Sequence, residues 1–394
     1  MSDQHATPGL RIRQLRLAKG FTLEQLTEQM GSVVSKQALS KYEKGEAFPR
    51  PRTLAALASA LGVKASELFG EPTYRVDCLQ YRVRSPLAPR TKERVEAELS
   101  TRLERRLALE DRLFAAKRVN LPVERRDVTD VEEIEDIADE FRRAWNLGFE
   151  PIPNLSEVLE RHSIHVFEMD GGLDFDGLAA VARTEDGDLR GVGIAENVDT
   201  DGDRQRFNLA HELGHVVVAP VVREDEEKFA HRFAGAFLIP RSLVFAEVGE
   251  RRKDVSWDEL LLLKRRWGVS VQAILHRLDD LGIITRPHYE WWCREIRALG
   301  FKKVEPLQLP REVSTWEHRQ VARAEAEGLM SKEQAATYLP EPGPKTARVE
   351  FDRRALMKLA PVDRREVLRA QAERLAEQYE GELDREWLDA DIGE

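Results

Sequence analysis

The sequence predicts an α+β multidomain protein that is mainly helical, with an all-α head, a mixed domain carrying a small sheet, and a helical C-terminal extension. Three observations predict it. Residues 1–70 are short helix-length runs cut by Gly and Pro; the middle of the chain interleaves helical periods with three short β-like runs; beyond Pro240 the period is helical again. The 394 residues leave room for two to four domains plus extensions, and we set boundaries at 1–70, 71–127, 128–290, 291–345 and 346–394.

Composition narrows the class. With 34% charged and 42% hydrophobic residues and a formal net charge of −10, the chain has the profile of a soluble multidomain protein. Its two cysteines, Cys78 and Cys293, are far apart and lack metal-ligand spacing, which argues against a disulfide framework and against a Cys zinc site. A reducing cytoplasm is the expected location. No apolar run approaches the roughly 20 residues that span a bilayer, and MSDQHATPG lacks the basic and apolar regions of a signal peptide, so no membrane partner is expected. Residues 1–70 contain ten Lys or Arg against six Asp or Glu, a balance of +4 that leaves −14 on the remainder. A basic head on an acidic body points the head alone at phosphate.

The head reads as five short helices. Leu10 to Ala18 is amphipathic, Thr22 caps Leu23 to Met30, Gly31 opens a turn, and Ser35 caps Lys36 to Glu43; Pro51 to Leu61 and Ala65 to Phe69 follow the breaks at Gly45 and Pro49. A helix, a Gly-containing turn and a second helix opening Ser-Lys-Gln make a helix-turn-helix, whose second helix enters the major groove by its N-terminal residues. Gln37 suits an adenine edge, Lys36 and Lys41 suit guanine or phosphate, Ser35 and Ser40 suit phosphate or a base edge, and Leu39 and Tyr42 face inward. The stretch VSKQALSKYEKGEAFPRPRTLAALASALGV closely resembles the Xre-type DNA-binding domain, which implies a double-stranded DNA operator as partner. It departs from the commonest pattern at Leu23 and in the length of its turn.

A joining segment follows. Glu71 to Pro89 is mixed, and Thr91 to Lys117 is a charged helix whose Leu99, Leu103, Leu107 and Leu113 form a seam, either against the body or against a second copy in a homodimer. From Val128 a mixed unit assembles: Val131 to Trp145 is a helix closed at Gly148, Asn154 to Arg161 another, and 163–168, 178–183 and 191–195 are strands. Asp199 to Arg204 is a polar turn without the Gly and distal Glu of a calcium loop.

The next helix commits the chain to a reaction. The run RQRFNLAHELGHVVV contains no Pro, and residues four apart lie one turn apart on one face, so His211 and His215 can aim two imidazoles at one metal ion with Glu212 beside them. This is the zinc-peptidase pattern. Two buried imidazoles left unpaired would be costly, and a metal removes that cost. Gly214 inside the helix carries a penalty near ~1 kcal/mol and calls for a close-packing reason.

The third ligand lies in EEKFAHRFAGAFLIP, a helical run ended by Pro240, where Glu227 and His231 stand four apart. The bland alternative is that Glu226, Glu227 and Lys228 are only a solvated helix start. Glu227-Lys228-Phe229-Ala230-His231-Arg232-Phe233-Ala234, then Leu238-Ile239-Pro240, placed after HELGH, resembles the ImmA/IrrE family of intracellular metallopeptidases. That resemblance implies a gluzincin-like zinc hydrolase fold, Zn2+ as cofactor, and Glu227 as third ligand with His211 and His215. It departs at His231, where the family more often has Asn or Asp. Either His231 orients a ligand or donates to the transition state, or His231 is itself the ligand and Glu227 orients it.

Beyond Pro240, Trp257 to Trp267 and Val271 to Leu281 are helices, and KRRWGVSVQAILHRLDDLGII also resembles the end of that family. His276 can approach the site or be an ordinary polar residue of its helix, and His288, near Tyr289 and two tryptophans, is open in the same way. Pro361 opens a further helix, and the acidic close EGELDREWLDADIGE resembles the tails of small bacterial antitoxins. Two functions follow. The first is a DNA-binding transcriptional regulator fused to a zinc endopeptidase, with Glu212 as general base and a repressor or toxin-system partner as protein substrate. The alternative is a non-proteolytic antitoxin-type repressor whose metal site is structural or vestigial.

Overall fold

The computed structural model of the chain describes residues 8–69, 73–83, 88–114, 121, 126–172, 175–222, 225–302 and 304–338. The chain divides into two compact units, 1–335 and 336–394. The expected helix from Pro361 and the acidic antitoxin-like close lie outside the described residues.

The head is built as its caps dictate. Helices α1 (Pro8–Ala18), α2 (Leu23–Gln29), α3 (Lys36–Glu43) and α4 (Pro51–Leu61) are followed by a 3-10 turn at Ala65–Leu68 in place of a fifth α-helix. Thr22 accepts from the Gln25 amide while the Gln25 side chain accepts from the Thr22 amide, a complete capping box. Ser35 accepts from the Ala38 amide at 3.2 Å. Ile12, Leu15, Leu26, Leu39, Leu57 and Leu61 close a small core, with Tyr42 packed against it. A buried two-point pair from Arg16 to Glu43, at 2.6 and 2.8 Å, ties α1 to α3.

The stretch expected to join the head to the body supplies part of the sheet. Strand β1 (Arg75–Val83) and the long helix α5 (Pro89–Leu113) precede β2 (Arg126–Val128), α6 (Val131–Ala144) and α7 (Leu155–Arg161). Then come β3 (Ile164–Met169), β4 (Phe175–Arg183) and β5 (Leu189–Asn197), in the four-stranded order β1-β4-β5-β3. β3 runs parallel to β5, whereas β4 runs antiparallel to both β5 and β1.

The two-residue period of β4 sorts its side chains between two cores. Leu178, Ala180 and Ala182 face Val95, Leu99, Leu103 and Leu107 of α5. Ala179 and Val181 belong to the larger core on the other face, with Leu209 and Leu213. Of the two partners open to the leucine seam, Leu99, Leu103 and Leu107 take the sheet of their own chain.

The second layer is helical. It comprises α8 (Gly202–Val217), a short β6 (Val218–Pro220) paired in parallel with β2, α9 (Glu226–Leu238), α10 (Arg241–Glu247), α11 (Trp257–Trp267), α12 (Val271–Asp280) and α13 (Arg286–Ala298). Helices α14 (Trp316–Ala326) and α15 (Lys332–Tyr338) follow. The irregular chain before α14 straps the start of α8: Arg311 donates to the carbonyls of Asn197, Val198 and Thr200, and Glu312 accepts from the Leu155 and Ser156 amides. No helix among the described residues is long and apolar enough to cross a membrane.

Candidate metal centre and DNA-facing helix

Helix α8 is held on nearly all sides, and His211, Glu212 and His215 are at most 1% exposed. Gly214 explains how a second helix gets close enough to complete the site. A Cβ there would lie 3.0 Å from the Cα and 3.2 Å from the carbonyl oxygen of Ala230, so α8 and α9 cross almost backbone to backbone at this residue. The crossing brings the first turn of α9, and with it Glu227, over the two imidazoles.

The three donors converge. Nε2 of His211 and Nε2 of His215 are 3.0 Å apart, and each is 3.4 Å from a different oxygen of Glu227. Two metal–ligand bonds of about 2.05 Å at the tetrahedral angle put their donor atoms about 3.3 Å apart. The N–N distance and the two N–O distances, which run to different oxygens of Glu227, lie on either side of that value, so the three side chains suit a single zinc-sized ion. His211, His215 and Glu227 are the group among the described residues with this convergence. Glu227 is the carboxylate in it, while His231 lies alongside with its ring centroid 4.6 Å from that of His211.

Electrostatics follow from the same crowding. Hydrogen bonds from His211 and His215 hold the Glu227 carboxyl well below the usual carboxylate range. Burial opposes charge on His215, but the carboxylates of Glu227, Glu212 and Glu226 outweigh it and raise its pKa. Glu226, which the sequence offers as part of a solvated helix start, is instead buried, and its Oε1 stands 3.8 Å from Nδ1 of His215. The doubled acid at 226–227 was its only signal.

Gly177 of β4 is a second residue that sequence reasoning missed, and nothing in the local pattern marks it. A Cβ at this position would sit 2.6 Å from Oε1 of Glu212. Beside the triad is a cavity of ≈ 540 Å³ lined by Val131, Glu227, Lys228, His231, Arg232, His276 and Asp280. His276 bonds Asp280 at 3.2 Å, which raises the imidazole pKa. His288 is placed near Asp254, at 3.5 Å, and stacked on Trp291.

On the head, Ser35, Lys36 and Gln37 are exposed at the start of α3, Lys41 is exposed in its last turn, and Ser40 is half-buried. The Ser35 oxygen is engaged as the helix cap. Lys36 is paired with Glu24 of α2.

Family comparison agrees with both halves of this layout. Residues 159–279 match the model described as an IrrE N-terminal-like domain, of the M78 peptidases, and residues 12–68 match a helix-turn-helix model. The chain carries an IrrE-like peptidase domain behind a helix-turn-helix head. The IrrE-like match spans β3 to α12 and so contains the whole donor set, whereas β1 and α5 lie outside it. A 59-residue stretch is 37% identical to the HTH-type transcriptional activator BcrR of Enterococcus faecalis, over 15% of this chain and 28% of that protein. The chain therefore spans less than a third of that relative's length. No solved structure matches.

Proposed function

We propose that the chain is a DNA-binding transcription regulator whose IrrE-like domain is a zinc-dependent endopeptidase acting on another protein of the cytoplasm. The convergence of His211, His215 and Glu227 at 3.0–3.4 Å, with Glu212 on the same helix, carries this reading. A structural metal site has no use for Glu212. A bound Zn2+ in the N,N,O set would supply an acidified water and polarise a peptide carbonyl.

The chain's own residues perform the rest. Glu212 takes the proton of the attacking water on a carboxylate oxygen and returns it to the leaving amine. Its buried position beside Gly177 limits its rotation and keeps bulk water away from the proton. Glu226, with Oε1 3.8 Å from Nδ1 of His215, adds negative charge beside that ring. His231, adjacent to His211 and lining the cavity, donates toward the oxyanion that forms on the substrate carbonyl.

The head addresses this centre to an operator through Ser35, Lys36, Gln37, Ser40 and Lys41, and a 59-residue likeness to a transcriptional activator supports a role in transcription. The substrate class that suits such a fusion is a repressor or a toxin-system partner. The test is incubation of zinc-loaded wild type and Glu212→Gln with proteins encoded nearby. Cleavage by wild type alone is the expected result. Zinc and operator bound by both variants with no cleavage by either would make the chain a non-proteolytic repressor.

A further inference from the structure

Strand β4 passes directly beside Glu212. Gly177 of β4 abuts the Glu212 carboxylate, Ala179 and Val181 pack into the core that holds α8, and β4 runs antiparallel to β5. An extended peptide bound for hydrolysis needs its backbone ordered beside the general base, and adding as a strand to such an edge is a recurring way to order it. In this chain the edge is taken. β1 lies antiparallel along it from Arg75 opposite Arg183 to Val83 opposite Phe175, and Arg82 pairs with Gly177 itself.

β1 is a visitor to the domain by sequence. The IrrE-like match begins at residue 159, while β1 comes from the segment between the head and α5. Its pairing is irregular where it nears the centre, with register shifts between Cys78 and Tyr81 and between Arg82 and Val83. It is nonetheless packed on both faces: Val76 and Cys78 meet the core under α5, and Leu79 meets the core that contains α8. The helix after β1 is also clamped to the head, since Glu104 of α5 accepts from Arg11 and Gln14 of α1 and Arg90 bonds the Gly20 carbonyl.

We propose that β1 is an internal occupant of the substrate-backbone edge, so that an extended peptide must displace it before Glu212 can act. The inference rests on the peptidase reading for its consequence, but the displacement is testable without any cleavage. Because β1 is tied to the head side of the chain through α5, its release is the step at which events at the head would reach the peptidase centre.

The experiment uses full-length zinc-loaded protein and a fluorescein-labelled peptide copying residues 73–83, with binding read by anisotropy. Cys78 faces Ala180 in the register, and directly opposed residues in an antiparallel pair are ~4.5–5.5 Å apart at Cα, within disulfide reach. Ala180→Cys, oxidised with copper phenanthroline, therefore fastens β1 to β4, and its reduced form is the folding control. Leu79→Asp loosens β1 by placing a carboxylate against the apolar core. The expected result is peptide binding at least about tenfold tighter to Leu79→Asp than to wild type, abolished in oxidised Ala180→Cys and restored on reduction. Binding that survives the cross-link would mean the peptide adds elsewhere, and equal binding or none in every form would mean β1 does not compete. Either outcome overturns the proposal. Peptide binding that follows this order with no cleavage by any form would leave β1 displacement standing and count against the peptidase reading alone.

Discussion

Gly177 and Glu212 are so close that a single added methyl group on the glycine would stand 2.6 Å from a carboxylate oxygen. The glycine thus fixes where the proposed general base can rest, although it is 35 residues away in the chain and carries no chemistry. Gly177→Ala is predicted to push the carboxylate aside while leaving the metal donors in place. Misplacement of ~1 Å costs on the order of 100-fold in rate. Cleavage should fall by about that factor with zinc content unchanged, and normal turnover would show that Glu212 does not act from this position.

A buried charge cluster sets the angle of α9. Glu135 of α6 accepts from Arg277 at 2.5 and 2.8 Å and is ion-paired with Arg232 at 2.6 Å, and Arg232 lies five residues beyond Glu227 on α9. Removing the carboxylate leaves the buried Arg277 guanidinium without its counter-charge and Arg232 with Asp280 alone, and breaking a buried pair typically costs about 3–5 kcal/mol. Glu135→Ala should lower the denaturant midpoint accordingly and weaken zinc binding with it. A shift equal to that of an ordinary surface substitution would contradict the role assigned to the cluster.

Glu196 predicts a pH dependence of stability. Burial pushes its carboxyl from the ordinary 4.5 up to about 8, against the pull of Gln205 and Arg311 toward the charged form. The folded state thus favours the proton more than the unfolded chain does. Its contribution is complete below pH ~4.5, declines as pH rises, and is lost above pH ~8. Denaturation of wild type across that window should show this slope, and Glu196→Gln should flatten it. An unchanged slope in the variant would assign the effect elsewhere.

At α3, the proposed DNA-facing helix, the pairing of Lys36 with Glu24 holds a positive charge against its neighbour. Glu24 is exposed, and its carboxyl is lowered chiefly by the Lys36 hydrogen bond. Glu24→Gln is predicted to free Lys36 and tighten operator binding, most visibly at low salt. Gln37→Ala should cost about 1–3 kcal/mol and relax preference at one base pair. Weaker binding by Glu24→Gln, or no loss with Gln37→Ala, would remove α3 from the interface.

The parts of this molecule legible in the sequence are those where local chemistry and tertiary structure agree. Thr22, Ser35 and Asn154 announced their helices and cap them, and Gly214 inside the HELGH helix signalled the close approach that Ala230 makes. The segment from 71 to 127 was harder to read because its leucine seam fits a partner helix and a sheet face equally well, and β1 mixes Arg, Asp and Gln with its apolar residues. Edge position permits that composition. Gly177 and Glu226 were missed for a different reason: their meaning comes from which residue of another element they meet, and that is set by register and crossing angle.

The claim on which the account depends is that His211, His215 and Glu227 hold one ion, with His231 beside it and not in it. Zinc content of the dialysed full-length protein tests this directly in wild type, Glu227→Ala and His231→Ala. A single zinc per chain in wild type and in His231→Ala, and none in Glu227→Ala, is the predicted result. Zinc retained in full by Glu227→Ala, or lost from His231→Ala, would contradict it.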